Sequence, residues 1–495
     1  MASNEQPPLP LLFLIGDTGG GHRSAAAAVA QAMEHLLPGR FVPVICDPLR
    51  GPDVPRLLRW WCGLYGPCIR LTPWLWWLFW RASDSPRVLS AVRRTVMAPV
   101  YGSVARAAEA CQPALIVAFH PMTADPAVRA RVTVAGALAT RAAAVPVATV
   151  ITDLITAHRS WRDAAVDRVI VPSAEIAARC AQDGMAADRY VPLGLPVAAE
   201  FCRPPLSDAE RKQLKRELGI GGDFLVVLTG GAEGSGGLRR RAAAIVRGVD
   251  NVDVAVICGR NKALKRRVTR LARRTERRSA SRPPAHAVGR ALRRVRRAVR
   301  PASSRLTAHG FVGNMADWLR CADIVVGKAG PGTIAEATCS GAPLVLTSFV
   351  PGQEKGNAEF VAGAGAGVYA PRPRQLAAEI GRLRRDPAAL AAMRDASARA
   401  GRPDAAADIA RFLGDLARPA EASRDAPGDV EAGRAGLTTE RALLPALVGS
   451  AVARENALLM SLADAPGARR NARASASLRR LRRSGVLIRA ALRDR

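Results

Sequence analysis

Short apolar runs alternate with alanine-rich stretches along most of the 495 residues, and the alternation comes in two series. The first holds "LLFLIG" (11–16), "FVPVICD" (41–47), "ALIVAFH" (114–120), "VPVATVIT" (145–152) and "RVIVPS" (168–173). Each run is continuous rather than alternating and is bounded by turn residues, as in parallel strands covered on both faces. After "PLGLPV" (192–197) comes a polar helix, "SDAERKQLKRELG" (207–219), and then the second series: "FLVVLTGG" (224–231), "VDVAVICG" (252–259), "ADIVVGKAG" (322–330) and "APLVLTS" (342–348). Two βαβ series predict an α/β protein of two Rossmann-like lobes, with ligands held in a cleft at the carboxyl ends of the strands. The expected division is 1–203, 204–417 and an Ala/Arg-rich tail, 418–495, of low order.

Composition narrows the class. Hydrophobic residues reach 49%, enough for sizeable cores, although aromatics are only 4%. The nine cysteines form no C-x-x-C pair and no zinc spacing, so they read as reduced thiols of a cytoplasmic protein. No signal peptide is read ahead of Leu11. A formal charge of +31 suggests nucleic acid until it is located. Residues 260–305 hold 18 Lys/Arg against Glu276 alone, and 469–495 hold ten Arg against Asp494. The excess therefore sits in a basic insertion, about 262–306, and in the tail. It reads either as a solvated, Arg-biased surface or as an attachment to an anionic membrane. The tracts lack interleaved aromatics and any helix-turn-helix or OB signature, so a specific nucleic-acid partner is the distant alternative.

The chemistry begins at "IGDTGGGHRSAAAAVA", 15–30. Gly16 and Gly21 have P-loop spacing, but His22 and Arg23 stand where Lys and Ser/Thr belong, and the dinucleotide fingerprint is incomplete. Gly19, Gly20 and Gly21 open a helix whose N-terminus favours anions. His22 then reads equally as a helix-start histidine or as a general base at the strand ends. The second series adds three strand-end loops, "GGAEGSGG" (230–237), "KAGPGTIAEA" (328–337) and "FVPGQEKGN" (349–357). A single glycine loop is most often a tight turn. Three in one lobe, each with convergent polar groups, suit a nucleoside diphosphate with a carboxylate for ribose and an amide–acid pair for sugar hydroxyls.

In order along the chain, "DTGGGHRSAAAA", "TDLITAHRSW", "VDRVIVPS", "GLPV", "GGAEGSGG", "GFVGNMADWLRCADIVVGKAGPGTIAEA" and "PGQEKGN" resemble the monogalactosyldiacylglycerol synthase family. That family includes the bacterial processive diacylglycerol glucosyltransferases and is related to the peptidoglycan UDP-N-acetylglucosamine transferase. The resemblance spans roughly 10–415 and implies a GT-B fold. It also implies inverting, metal-independent transfer from a UDP-hexose to a lipid hydroxyl, either diacylglycerol or, as the alternative, a polyprenyl-linked or other hydrophobic acceptor. It casts His22 as the base, with Asp153 and His158 lining the acceptor side. Backbone groups of Phe311 and Val312, beside Met315, would take the uracil, and Glu336 the ribose. Lys328, Ala329, Gly330, Pro331, Gly332 and Thr333 would bind the diphosphate, and Gln353 with Glu354 the hexose. Gly20, Gly21, Gly230, Gly231, Glu233, Gly234, Gly352 and Asn357 complete the donor set. No cofactor and no metal is implied.

Six tryptophans, Trp60, Trp61, Trp74, Trp76, Trp77 and Trp80, crowd "WWCGLYGPCIRLTPWLWWLFW". A buried helix pair is one reading, and a membrane span is disfavoured by Arg70 and two prolines. The preferred reading is an interfacial element that docks the acceptor lobe on the inner face of the cell membrane.

Overall fold

The computed structural model describes residues 7–16, 20–52, 54–63, 68, 72–137, 145–162, 165–280 and 304–417. Gly19, the middle of the basic insertion (281–303) and the tail (418–495) lie outside the described residues.

Two six-stranded, all-parallel sheets carry the fold. The first runs in the order β2-β1-β3-β4-β5-β6, from β1 (Leu9–Leu14), β2 (Phe41–Cys46), β3 (Leu115–Ala118), β4 (Val147–Val150), β5 (Arg168–Val171) and β6 (Tyr190–Pro192). The second runs β12-β11-β10-β7-β8-β9, from β7 (Leu225–Thr229), β8 (Asp253–Ile257), β9 (Arg305–His309), β10 (Ile324–Lys328), β11 (Leu344–Ser348) and β12 (Gly367–Tyr369). Eight of these strands lie within the apolar runs read from sequence, and β1 overlaps its run, starting two residues earlier. The other three, β6, β9 and β12, lie at sheet edges, where one flank needs no apolar partner.

Each sheet is buried on both faces, which is why the runs are continuous. Leu12, Leu14, Ile116, Val147 and Val169 face the helices Ala98–Cys111 and Ala124–Ala137. Leu11, Phe13, Leu115, Val117 and Ile170 face the opposite way, toward the helix Gly21–Leu36. In the second sheet Leu225, Val227, Val325 and Leu344 pack with the helices Met315–Cys321 and Pro331–Cys339. Val226, Val254 and Val326 pack with Leu238–Gly248 and Pro373–Arg385.

Two features depart from the sequence expectation. The helix Ala405–Leu416, expected to belong with the second series, buries Ile409, Ala410 and Leu413 in the core of the first sheet. Its fit is close: a methyl group at Gly414 would come within 2.7 Å of Leu37 Cδ1. The start of the basic insertion is also regular structure. Lys262–Ala280 is an amphipathic helix that buries Val268 and Ala272 against the second sheet and turns its cations outward.

Strand order fixes where a ligand goes. In the first sheet the chain moves outward from β1 to β2 and then restarts at β3 on the other side of β1. In the second it moves from β7 to β9 and restarts at β10 on the other side of β7. Crevices open at such switch points. They lie beyond β1 and β3, and beyond β7 and β10, where the glycine loops sit.

Candidate active site

At the first crevice, β1 ends ahead of Ile15 and Gly16, and the helix Gly21–Leu36 begins from the N-cap Gly20 at φ +86°. His22 lies in the first turn, half-buried. Its Nδ1 is 2.8 Å from Thr152 Oγ1, beyond β4, and its ring meets His120 edge-on at 4.6 Å. His120 follows β3 and is buried. Its Nδ1 accepts the Met122 amide at 3.2 Å, and burial together with the nearby His22 holds its pKa well below 6.5, so the ring is neutral at pH 7. Gly16 makes this packing possible, since a methyl group there would lie 2.6 Å from His120 Cδ2. The motif reading does not single out His120 or Thr152. Their signal is positional: each follows the carboxyl end of one of two adjacent strands, β3 and β4, beside the switch point.

Asp153 is buried, 6% exposed. Its Oδ2 accepts Trp161 Nε1 at 2.7 Å and its Oδ1 accepts Gln353 Nε2 at 2.9 Å. Burial is the main cause that raises its pKa to about 6, against the pull of those two donors. Asp153 therefore spans the cleft to the loop 349–357 instead of only lining its own side. His158 departs from its expected place. It is buried, with Nε2 3.2 Å from Ser83 Oγ and Nδ1 2.8 Å from Ser160 Oγ, and Trp80 packs on its ring at 4.8 Å. It joins the helix Pro73–Ser83 to the "TDLITAH" segment, because burial of a polar ring requires partners at both nitrogens.

In the second lobe, β10 ends at Lys328, whose ammonium bonds Glu354 Oε1. Glu354, 3% exposed, accepts the Val350 amide through Oε2 at 2.9 Å and stands at the N-cap of the helix Lys355–Gly363. Asn357 is 1% exposed. Its Nδ2 donates to Ala329 O at 2.9 Å, while its buried Oδ1 has no hydrogen-bond partner. Gly330 is the N-cap of the helix Pro331–Cys339 and no side chain caps that helix. First-turn N–H groups at Gly332 and Thr333 are thus placed for an anion. Glu336, one turn in, has a pKa raised to about 7 by burial and by Glu200.

The loop after β7 is closed by Ser235, whose N–H and Oγ each donate to Gly230 O at 3.1 Å, with Gly234 N on Gly231 O. Glu233 points to solvent, 3.8 Å from the Arg260 guanidinium, which lies over the Phe311 ring at 5.7 Å. Phe311 is 65% exposed, and Val312 and Met315 are half-buried beside it. Among the described residues no group of three or more His, Cys, Asp or Glu is placed to hold a metal ion.

Among the described residues the lobes touch at several places around this site. Besides Gln353 and Asp153, a methyl group at Gly20 would sit 3.7 Å from Ala232 Cβ, and one at Gly356 2.9 Å from Thr156 Oγ1. At Gly352 (φ +85°) it would sit 2.9 Å from Trp80 Cδ1.

Trp74, 66% exposed, and Trp77 lie outward on the helix Pro73–Ser83 with Leu75, Leu78 and Phe79, while Trp76 and Trp80 are half-buried. Trp60 is exposed on the helix Arg56–Gly63; the side chain of Trp61, next to it, lies outside the described residues. No helix among the described residues is long and apolar enough to cross a membrane.

Two Rossmann-like lobes, with glycine loops at one switch point and a histidine at the other, define the GT-B fold. A crystal structure of Acinetobacter baumannii MurG has this fold, with TM-score 0.50 and 15% identity over 82% of this chain and 100% of that one. Residues 252–409 match the glycosyltransferase family 28 C-terminal domain, and residues 22–197 match monogalactosyldiacylglycerol (MGDG) synthase. Monogalactosyldiacylglycerol synthase 3 of Arabidopsis thaliana is 31% identical over 74% of this chain and 72% of its own length. A probable monogalactosyldiacylglycerol synthase 3 of Oryza sativa is 29% identical over 82% and 74%. The chain belongs to the monogalactosyldiacylglycerol synthase family and is a UDP-sugar-dependent glycosyltransferase.

Proposed function

We propose that the protein transfers a hexose from its UDP conjugate to the hydroxyl of diacylglycerol, with inversion, while seated on the inner face of the cell membrane. The observation that carries the reading is the opposition of the two glycine turns. Gly20 faces Ala232 across the cleft, which sets His22 against the donor loops from the acceptor side.

The step is a single displacement. The acceptor oxygen forms a bond to the anomeric carbon, the bond from that carbon to the β-phosphate oxygen breaks, and its electron pair leaves with UDP. The hydroxyl proton passes to the His22 imidazole, whose Nδ1 is 2.8 Å from Thr152 Oγ1. Negative charge on the departing diphosphate meets the uncapped N-terminus of Pro331–Cys339 and the Lys328 ammonium, and we read the reaction as requiring no metal. Glu336 takes the ribose, Phe311 and Val312 the uracil, and Gln353 with Glu354 the hexose. Inversion follows because base and leaving group occupy opposite lobes.

The bilayer seat is the outward apolar side of the helix Pro73–Ser83, with Trp60 beside it. Indole rings partition to headgroup depth, and the outward cations of Lys262–Ala280 suit an anionic leaflet. The test is incubation with UDP-galactose and, separately, UDP-glucose, each with phosphatidylglycerol vesicles containing diacylglycerol, followed by mass analysis of the lipids. A hexosyl-diacylglycerol is expected. Hexose appearing only on an added polyprenyl lipid would move the acceptor assignment to the alternative.

A further inference from the structure

The helix Pro73–Ser83 carries an inward contact that bilayer docking does not use. Trp80, half-buried, lies against Gly352 in the loop 349–357 of the opposite lobe, with the more exposed Trp77 at the rim of the same contact. A methyl group at Gly352 would meet Trp80 Cδ1 at 2.9 Å and Trp77 Cδ1 at 3.5 Å. The turn beneath the indole is tight: Gln353 N and Glu354 N both donate to Val350 O, at 3.2 and 2.9 Å. The residue after Gly352 is Gln353, bonded to Asp153, and then comes Glu354, bonded to Lys328.

The C-terminal end of the helix is fixed in its own lobe. Ser83 Oγ is 3.2 Å from His158 Nε2, Asp84 Oδ1 accepts the Arg159 amide at 2.7 Å, and the Trp80 ring packs on His158. The indole is therefore a rigid stop, and the turn 350–354 rests on it.

We infer that Trp80 is a positioning residue for the transferred hexose: from the acceptor lobe it presses the turn at Gly352 into the one placement that aims Gln353 at the sugar. The inference rests on the reading above that Gln353 and Glu354 meet the hexose. Uracil, ribose and diphosphate sit on other loops, 311–315 and 328–336, which Trp80 does not support. Loss of the ring lets the turn pivot between Val350 and Glu354 and leaves the nucleotide grip intact.

The readout is the ratio of KM for UDP-hexose to the inhibition constant of UDP, measured with the full-length protein. Trp80→Ala is expected to raise this ratio tenfold or more while the UDP constant stays within twofold, and Trp80→Phe is expected to keep the wild-type ratio. Gly352→Ala is expected to raise it as well, since the methyl group meets the indole and its backbone sits at φ +85°. If Trp80→Ala loses its fold, Trp80→Leu takes its place with the same expectation. An unchanged ratio in Trp80→Ala overturns the inference. Gln353→Ala separates the two layers: a raised ratio there with an unchanged one in Trp80→Ala rejects Trp80 alone, whereas an unchanged ratio in Gln353→Ala rejects the sugar-loop reading itself.

Discussion

Gln353 Nε2 donates to Asp153 Oδ1 at 2.9 Å, a hydrogen bond between residues two hundred positions apart and on opposite sides of the cleft. It ties the sugar loop to the segment that also carries Thr152, the partner of His22. The loop 349–357 and His22 are therefore both held by one short stretch of chain, Thr152–Asp153.

That stretch sets the first prediction. His22→Ala is expected to lower kcat by about two to four powers of ten, the usual contribution of a general base, with the inhibition constant of UDP unchanged. Thr152→Val removes only the bond that orients the ring. One neutral hydrogen bond is worth about 1 kcal/mol, so kcat should fall by roughly fivefold to tenfold. Steady-state kinetics of both variants checks this, and wild-type turnover in His22→Ala removes the histidine from the role.

Asp153 gives a stability prediction with a definite sign. Its carboxyl is raised from 3.8 to about 6 in the folded protein, chiefly by burial. Below about pH 4 it is protonated in both states and costs nothing. Between pH 4 and 6 the unfolded chain ionises first, so folding stability falls as pH rises, by about 3 kcal/mol for a shift of this size, and the loss persists above pH 6. Asp153→Asn should therefore be more thermostable than wild type at pH 7.5, with the difference shrinking toward pH 4. Its KM for UDP-hexose should rise, because the Gln353 amide must invert to meet the new amide. A pH series of melting curves reads the first effect.

The same reasoning applies to binding at Glu336. Burial and Glu200 raise this carboxyl to about 7, and ribose hydroxyls donate best to its ionised form. UDP-hexose affinity should increase as pH rises from 6 to 8 and level off above. UDP-hexose is the right probe because its diphosphate is a diester without an ionisation near neutrality. Glu336→Gln should flatten the profile and weaken binding at pH 8 by about tenfold or more, as expected for loss of a charge-assisted hydrogen bond. A pH slope that survives in Glu336→Gln assigns the ribose elsewhere.

Lys328 and Glu354 form a pair in which only the carboxylate is fully enclosed. Lys328→Met strands that carboxylate. Removing one partner of a buried pair costs about 3–5 kcal/mol, and less here because Lys328 is about a quarter exposed. Adding Glu354→Gln should recover most of the loss while sugar binding stays impaired. Urea denaturation of the two single variants and the double variant tests the coupling, and additive losses would rule it out.

The sequence by itself determined the architecture. Continuous apolar runs such as "LLFLIG" and "FLVVLTGG" hold strands buried on both faces, and that patterning is local and periodic. It also determined the glycine turns at the strand ends, because glycine followed by a helix start is a local signal. The structure alone decided which distant groups meet. Nothing near His120 or Thr152 in the chain marks them as neighbours of His22, nor Trp80 as the support of Gly352. Strand order brings the ends of β1, β3 and β4 side by side, and that order is invisible to any window of sequence. The same holds for the helix Ala405–Leu416, whose apolar face states that it must pack and leaves its partner open. A hydrophobic stripe specifies burial, and only the closed fold specifies against what.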